Sequence, residues 1–313
     1  MRARPRSSST DPSDNEARGF LLAGQPMVAP KAAAGLHLVA TPIGNLGDIT
    51  LRALETLAGA DMIACEDTRV TRTLLDRFGI RGSLKPYHEH NAAQMRPMIL
   101  QQLADGAAVA LVSDAGTPLI SDPGFKLVRE VAAAGHKVIT VPGASSLLAA
   151  LTVAALPTDR FFFEGFLPAR EGARQARIAE LARLDVTLVL FESGHRVQDT
   201  LRDLAAGLGA REAAICREMT KLHEEIARGP LAELAATADG RETRGEFVLV
   251  VGPPAADARD MAQADIDTLL REALAQGSVK DAVAGVVEAS GRPRREIYAR
   301  ALELARETPD DQA

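Results

Sequence analysis

Residues 112–124 read Val-Ser-Asp-Ala-Gly-Thr-Pro-Leu-Ile-Ser-Asp-Pro-Gly. They follow an apolar run, Ala107–Val112, of the kind that forms a strand buried in a parallel sheet. They precede Phe125–Ala134, where Phe125, Val128, Val131 and Ala132 fall at helical spacing. The stretch is thus a long loop between a strand and a helix. Gly116, Pro118, Pro123 and Gly124 restrict its shape while letting backbone approach a ligand closely, and Asp114 and Asp122 flank it. In open α/β sheets ligands bind in the crevice beyond the carboxyl ends of the strands. Local chemistry leaves two readings: a seat for a small polar molecule, or a turn that caps the next helix through Asp122 or Ser121.

Outward from this loop, short apolar runs alternate with helical segments. Leu36–Ala40, Met62–Cys65, Ala107–Val112 and Lys137–Val141 read as strands. Thr50–Leu57, Thr71–Phe78, Asn91–Ala104, Phe125–Ala134 and Ala144–Ala154 read as helices. Such alternation predicts a mostly parallel sheet with helices on both faces. Pro157 marks a boundary, after which a second unit has strands at Phe161–Gly165, Val186–Phe191, Glu212–Glu218 and Glu246–Val251 and helices at Val197–Leu208 and Leu231–Ala238. Pro253–Arg259 reads as a linker. A third, helical piece has helices at Ile266–Ala275, Val279–Ala289 with Ser278 as N-cap, and Arg294–Ala305, with a turn at Gly291-Arg292-Pro293. Its spacing suits a helix-turn-helix or a capping bundle. Met1–Ala34 has no period and is expected to be disordered and dispensable.

The chain has 313 residues, is 46% hydrophobic and 25% charged, and carries a formal net charge of −6, values that suit a globular protein without a uniformly basic coat. No apolar run is long enough for a bilayer, and no signal-peptide core follows the N-terminal arginines, so a cytosolic protein is expected. Cys65 and Cys216 both fall in expected strands, which argues for buried thiols and against a disulfide framework.

The strand ends carry the candidate chemistry. Strand one runs into Thr41-Pro42-Ile43-Gly44-Asn45-Leu46-Gly47-Asp48, a glycine loop that lacks the dinucleotide fingerprint. No Walker lysine and no zinc-spaced Cys/His set is present, so no metal is expected. Cys65-Glu66-Asp67-Thr68-Arg69 ends strand two; it either positions a substrate or holds a Glu66–Arg69 pair. Pro142-Gly143-Ala144-Ser145-Ser146 turns into a helix. Phe191-Glu192-Ser193 and Arg217-Glu218-Met219-Thr220-Lys221 end two strands of the second unit, and Lys221 is a candidate base. Arg170, Arg174 and Arg177 fall on one helical face and form a candidate basic patch, or an ordinary solvated one. With no Trp and two Tyr, base stacking would have to use Phe, Tyr87 or His.

In order and spacing, Thr41–Thr50, Glu66–Arg69, Ser113–Gly124, Pro142–Ser145, Phe191–Ser193 and Arg217–Lys221 resemble the bacterial 16S rRNA cytidine 2′-O-methyltransferases, members of the tetrapyrrole-methylase-like class of S-adenosylmethionine enzymes. The likeness spans roughly residues 36–251, and the helical piece is similar to that family's small C-terminal helix-turn-helix domain. It implies an α/β fold of two domains, 35–157 and 158–253, with a cofactor cleft between them, a helical domain at 262–306, and an extension at 1–34 outside the pattern. It further implies a homodimer acting on a decoding-site cytidine of 16S rRNA, free or in the small ribosomal subunit. S-adenosylmethionine would be held near Asp114, Ala115, Gly116, Thr117, Pro118, Ile120, Ser121, Pro142, Ser145, Phe191, Glu192, Met219 and Glu246, and leave as S-adenosylhomocysteine. Glu66 and Lys221 are the expected catalytic groups, and Arg69, Arg170, Arg174 and Arg177 the expected RNA contacts.

Overall fold

The computed structural model describes residues 18–237, 244–254, 263–290 and 294–307. It opens with a hairpin where disorder is expected. Strands β1 (Gly19–Leu22) and β2 (Gln25–Val28) pair antiparallel around the turn at Ala23 and Gly24. Phe20 is buried in the first domain's core, and the Leu21 N–H donates to the Phe78 carbonyl at 2.7 Å. Arg18 reaches Asp61 at 2.9 Å. The 18–34 part of the extension is therefore docked structure; residues 1–17 lie outside the described residues. The sequence signal failed because one buried Phe in a polar, aperiodic stretch has no period to detect.

Strands β3 (Gly35–Val39), β4 (Met62–Cys65), β5 (Leu84–Pro86), β6 (Ala108–Val112) and β7 (Val138–Val141) form a sheet of order β5-β4-β6-β3-β7, parallel throughout. Helices α1 (Leu51–Gly59), α2 (Thr68–Arg77), α3 (Ala92–Ala104) and α4 (Phe125–Ala133) cover it. Because successive side chains alternate across a strand, Ile63 and Cys65 join α1 and α2 in one core, while Met62 and Ala64 join α3 and α4 in the other. Both faces are apolar, which is why the strands read as unbroken apolar runs. α1 starts where the Thr50 hydroxyl accepts the Ala53 N–H at 3.1 Å.

Helix α5 (Ser146–Val153) follows β7 but packs elsewhere. Its Ala150 and Leu151, with the following Ala154, sit against Val189, Ala214, Cys216, Val248 and Val250 of the second sheet. α5, which precedes the boundary expected at residue 157, thus packs with the second sheet. The second sheet comprises β8 (Phe161–Phe166), β9 (Thr187–Ser193), β10 (Glu212–Arg217), β11 (Glu225–Pro230) and β12 (Glu246–Val251), in the order β11-β10-β12-β9-β8. Only β8 and β9 run parallel; the other neighbours are antiparallel. Helices α6 (Glu171–Leu181), α7 (Val197–Leu208) and α8 (Leu231–Ala236) cover its other face.

Helices α9 (Gln263–Gln276), α10 (Val279–Ser290) and α11 (Arg294–Glu307) share a core of Ile266, Leu270, Val283, Val286, Ile297, Ala301 and Leu304. Ser278 caps α10 by accepting the Asp281 N–H at 3.3 Å. The expected turn at 291–293 and most of the expected linker lie outside the described residues. Both cysteines are buried free thiols. Among the described residues no helix is long and apolar enough to cross a membrane.

Candidate cofactor cleft

Every strand of the first sheet that carries a motif ends at the same edge, since all of them run parallel. The 113–122 loop is anchored there. Thr41 and Gly116 exchange two backbone hydrogen bonds, at 2.9 and 3.1 Å, and the Thr117 hydroxyl donates to the Ala144 carbonyl at 3.2 Å. The β3, β6 and β7 loops thus form one platform. Asp122 and Ser121 do not cap α4, whose N-cap is Gly124. Of the two readings of this loop, helix capping is the one the structure removes.

A cavity of about 410 Å³ lies between this platform and the strand ends of the second sheet. Asp114, Ala115, Gly116, Thr117, Ile120, Ser121 and Ser145 line it from the first domain. Phe191, Glu192, Met219, Lys221 and Glu246 line it from the second. Pro118 is buried and Pro142 is exposed, and neither lines the cavity. Phe166, which the sequence reading overlooked, joins the apolar wall and packs edge-on to Phe191 with centroids 5.8 Å apart. Glu192 lines the cavity but its carboxylate is engaged: Oε2 accepts the Thr200 hydroxyl at 2.7 Å, and Oε1 accepts the Ser193 N–H at 2.8 Å. It is buried and holds the β9–α7 turn together.

Four non-glycine residues with positive φ flank the cleft: Leu119 (74°), Ser121 (62°), Glu218 (50°) and Thr220 (66°). Each costs about 1–3 kcal/mol and persists only where its surroundings enforce it. Such strain gathers at binding loops, and only the folded backbone reveals it.

Lys221 holds the centre of the second wall. Its Nζ is 2.9 Å from Glu218 Oε1 and 2.8 Å from Glu246 Oε2. Burial alone would lower its pKa, but the hydrogen bonds it donates to Glu246 and Glu218 outweigh it and the pKa is raised. Lys221 is thus held as an ammonium between two carboxylates, an arrangement that favours a positioning role over the expected one as a base. Two glycines make room for this group. A methyl on Gly44 would fall 2.5 Å from Lys221 Cγ, and one on Gly245 would fall 2.6 Å from Glu218 Oε1.

Glu66 lines neither this cavity nor its neighbour. Burial, then the charges of Asp114, Asp122, Glu89 and Asp67, raise its pKa. Of its two readings, the pair with Arg69 is not formed: Arg69 pairs with Asp67 at 2.6 Å, while the Asp67 N–H donates to Asp114 Oδ1 at 2.9 Å. The expected basic patch is also corrected. Arg174 is buried and bound to Asp203 at 2.6 Å; Arg177 binds Glu164 at 2.7 Å and Glu180 at 2.5 Å. Only Arg170, at the N-cap of α6, remains exposed. Helical spacing placed these arginines on one face without showing which way that face points. Tyr87 is buried and unavailable for stacking.

A second cavity of about 430 Å³ adjoins the first. The two share Ile43, Asp114, Ala115, Lys221 and Glu246. The outer one is otherwise lined by the β3–α1 loop, by α2 and by Ser113.

The molecule is a two-sheet α/β protein whose parallel sheet contributes a strand-end platform to a cleft lined from both sheets. Residues 35–235 match the family model described as Tetrapyrrole (Corrin/Porphyrin) Methylases, and residues 260–305 match that of the RsmI C-terminal HTH domain. The chain is 49% identical over 271 residues to the ribosomal RNA small subunit methyltransferase I of Mesorhizobium japonicum, covering 86% of this chain and 92% of that protein. It is 47% identical to the protein of the same name from Xylella fastidiosa, covering 84% of this chain and 97% of that one. Among solved structures, the methyltransferase CobJ shares the fold, with a TM-score of 0.54 at 21% identity over 71% of this chain and 95% of its own. The chain belongs to the ribosomal RNA small subunit methyltransferase I family, a group of S-adenosylmethionine-dependent methyltransferases.

Proposed function

We propose that this protein transfers a methyl group from S-adenosylmethionine to the 2′-hydroxyl of a decoding-region cytidine in 16S rRNA. The observation that carries the reading is the wall common to the two cavities, where Asp114, Lys221 and Glu246 bring two carboxylates and one ammonium together. The inner cavity fits the cofactor. Phe166, Phe191 and Met219 offer an apolar surface, and the 114–121 loop offers backbone polar groups. The cofactor supplies an already activated methyl on a sulfonium.

The protein's task is then mainly alignment, which supplies several kcal/mol when donor and acceptor are held in line. Bound in the inner cavity, the cofactor would supply its methyl to the ribose oxygen and leave as the thioether, and a carboxylate of the shared wall would take the hydroxyl proton. Lys221 sets the position of Glu218 and Glu246 and is not the proton acceptor. Arg69, with its side chain 89% exposed, and Arg170 are the surviving candidates for phosphate contacts. A homodimer working in the cytoplasm belongs to the same reading.

The test uses labelled methyl donor and unmodified small ribosomal subunits, followed by alkaline digestion. Label in an alkali-resistant dinucleotide beginning with cytidine is the expected result. Label in mononucleotides would mean base methylation, and label only in an added tetrapyrrole would reject an RNA substrate.

A further inference from the structure

We infer that the outer cavity seats a single ribonucleoside turned out of its RNA helix, with its ribose against the wall shared with the inner cavity. The inference rests on the reading of the protein as an RNA 2′-O-methyltransferase and specifies where and how the acceptor binds.

Methyl transfer requires donor and acceptor atoms in contact along one line, so they must meet where the two sites touch. The wall common to both cavities is Ile43, Asp114, Ala115, Lys221 and Glu246. With the donor in the inner cavity, the acceptor approaches from the outer one. The charge of that wall says which part of a nucleotide it meets. Glu218 and Glu246 pair with the Lys221 ammonium and Asp114 lines the same wall, so three carboxylates face one ammonium and the local balance is negative. A phosphate would be repelled there, whereas ribose hydroxyls can donate to carboxylates.

The rest of the outer cavity suits a base. Pro42 and Leu46 from the β3–α1 loop and Val70 and Leu74 from α2 give apolar surface, and Thr73 adds a hydroxyl. At about 430 Å³ the cavity falls within the range of small-molecule pockets. A base still stacked in a helix cannot enter a concave site of this kind, so the nucleotide has to be everted. Arg69 precedes Val70 on α2, so an exposed guanidinium lies beside the cavity wall rather than within it, where the flanking phosphates would run.

The inference predicts that filling the outer cavity blocks the acceptor and spares the cofactor. Val70 and Thr73 are exposed positions on α2, so Val70→Trp and Thr73→Trp are compatible with the fold. We expect S-adenosylhomocysteine affinity by calorimetry, which also reports folding, to stay within about twofold, while methyl transfer to small subunits falls about 100-fold. As a second readout, an RNA fragment carrying 2-aminopurine beside the target cytidine should gain fluorescence with the wild-type protein and S-adenosylhomocysteine, and not with Val70→Trp.

Unchanged transfer in both variants, loss of cofactor affinity in both, or no fluorescence gain with an active wild type would each overturn the outer cavity as the acceptor site. A wild-type protein that binds S-adenosylhomocysteine but methylates no RNA would reject the underlying reading, and this inference with it. That result is distinct from an active wild type with insensitive tryptophan variants.

Discussion

Gly44 and Lys221 touch across the cleft: a methyl group on Gly44 would lie 2.5 Å from Lys221 Cγ. One residue belongs to the loop after the first parallel strand and the other to the loop after β10, so the lysine stem is a contact between the two domains. Gly44 also has φ +146°, which an L side chain rarely adopts. Gly44→Ala should therefore move Lys221 and lower stability by about 1–2 kcal/mol. Methyl transfer should fall more than the loss of folded protein explains. Thermal denaturation and single-turnover transfer check this, and an alanine variant matching the wild type in both would refute the contact.

Lys221 should contribute no limb to the pH profile of methyl transfer. Its pKa is raised above 10.5, so the ammonium persists through the neutral range. The sign follows: stability from the lysine is fully present below its ordinary value and is lost only as pH rises through the raised one. Lys221→Met should lower transfer yet leave the shape of the rate profile between about pH 6 and 10 unchanged. A basic limb that vanishes in the variant would restore the lysine as a base.

Glu66→Gln tests the other expected catalytic group. A general base is typically worth 10²–10⁴-fold. Because Glu66 lines neither cavity, the variant should lose less than about tenfold in transfer. Burial and neighbouring carboxylates raise its pKa, so the folded chain holds the proton more tightly than the unfolded one. Stability then falls as pH rises from the ordinary carboxylate value to the raised one, and Glu66→Gln should increase Tm at pH 7. A larger loss of transfer, or a lower Tm, would contradict this placement.

Arg174 should matter for folding and not for RNA. Breaking a buried ion pair by removing one partner costs about 3 kcal/mol, and Arg174–Asp203 is such a pair. Arg174→Ala should lower Tm while the folded fraction keeps its affinity for small subunits. Loss of affinity at full folding would reinstate the patch.

The N-terminal hairpin should prove structural. Phe20→Ala should cost about 3 kcal/mol, the usual penalty for truncating a buried Phe. Asp61 adds a pH signature. Burial pushes its pKa up, but the Ala108 N–H, Arg18 and Lys31 outweigh that and lower it. The stability it contributes is present above the ordinary carboxylate value of 3.8 and is lost as pH falls through the lowered one. Asp61→Asn should flatten acid unfolding in that window, and an unaltered acid limb would discount the hairpin's tie to Asp61.

The sequence by itself determined four of the five strands of the parallel sheet, all but the short edge strand Leu84–Pro86, together with the strand-end loops and the order in which they come. Buried parallel strands such as Ala108–Val112 are apolar on both faces, and their loops carry Gly and Pro where the backbone must turn sharply. Those are local signals, set within ten or so residues. Only the tertiary structure decided what each charge does. Lys221 became a fixed cation because Glu246, 25 residues later, folds back beside it. Arg174 became interior because α7 brings Asp203 against it. The packing of α5 on the second sheet, and the meeting of two cavities at Asp114, likewise depend on groups far apart in the chain. Helical spacing records that side chains share a face; what that face meets is settled by packing between elements.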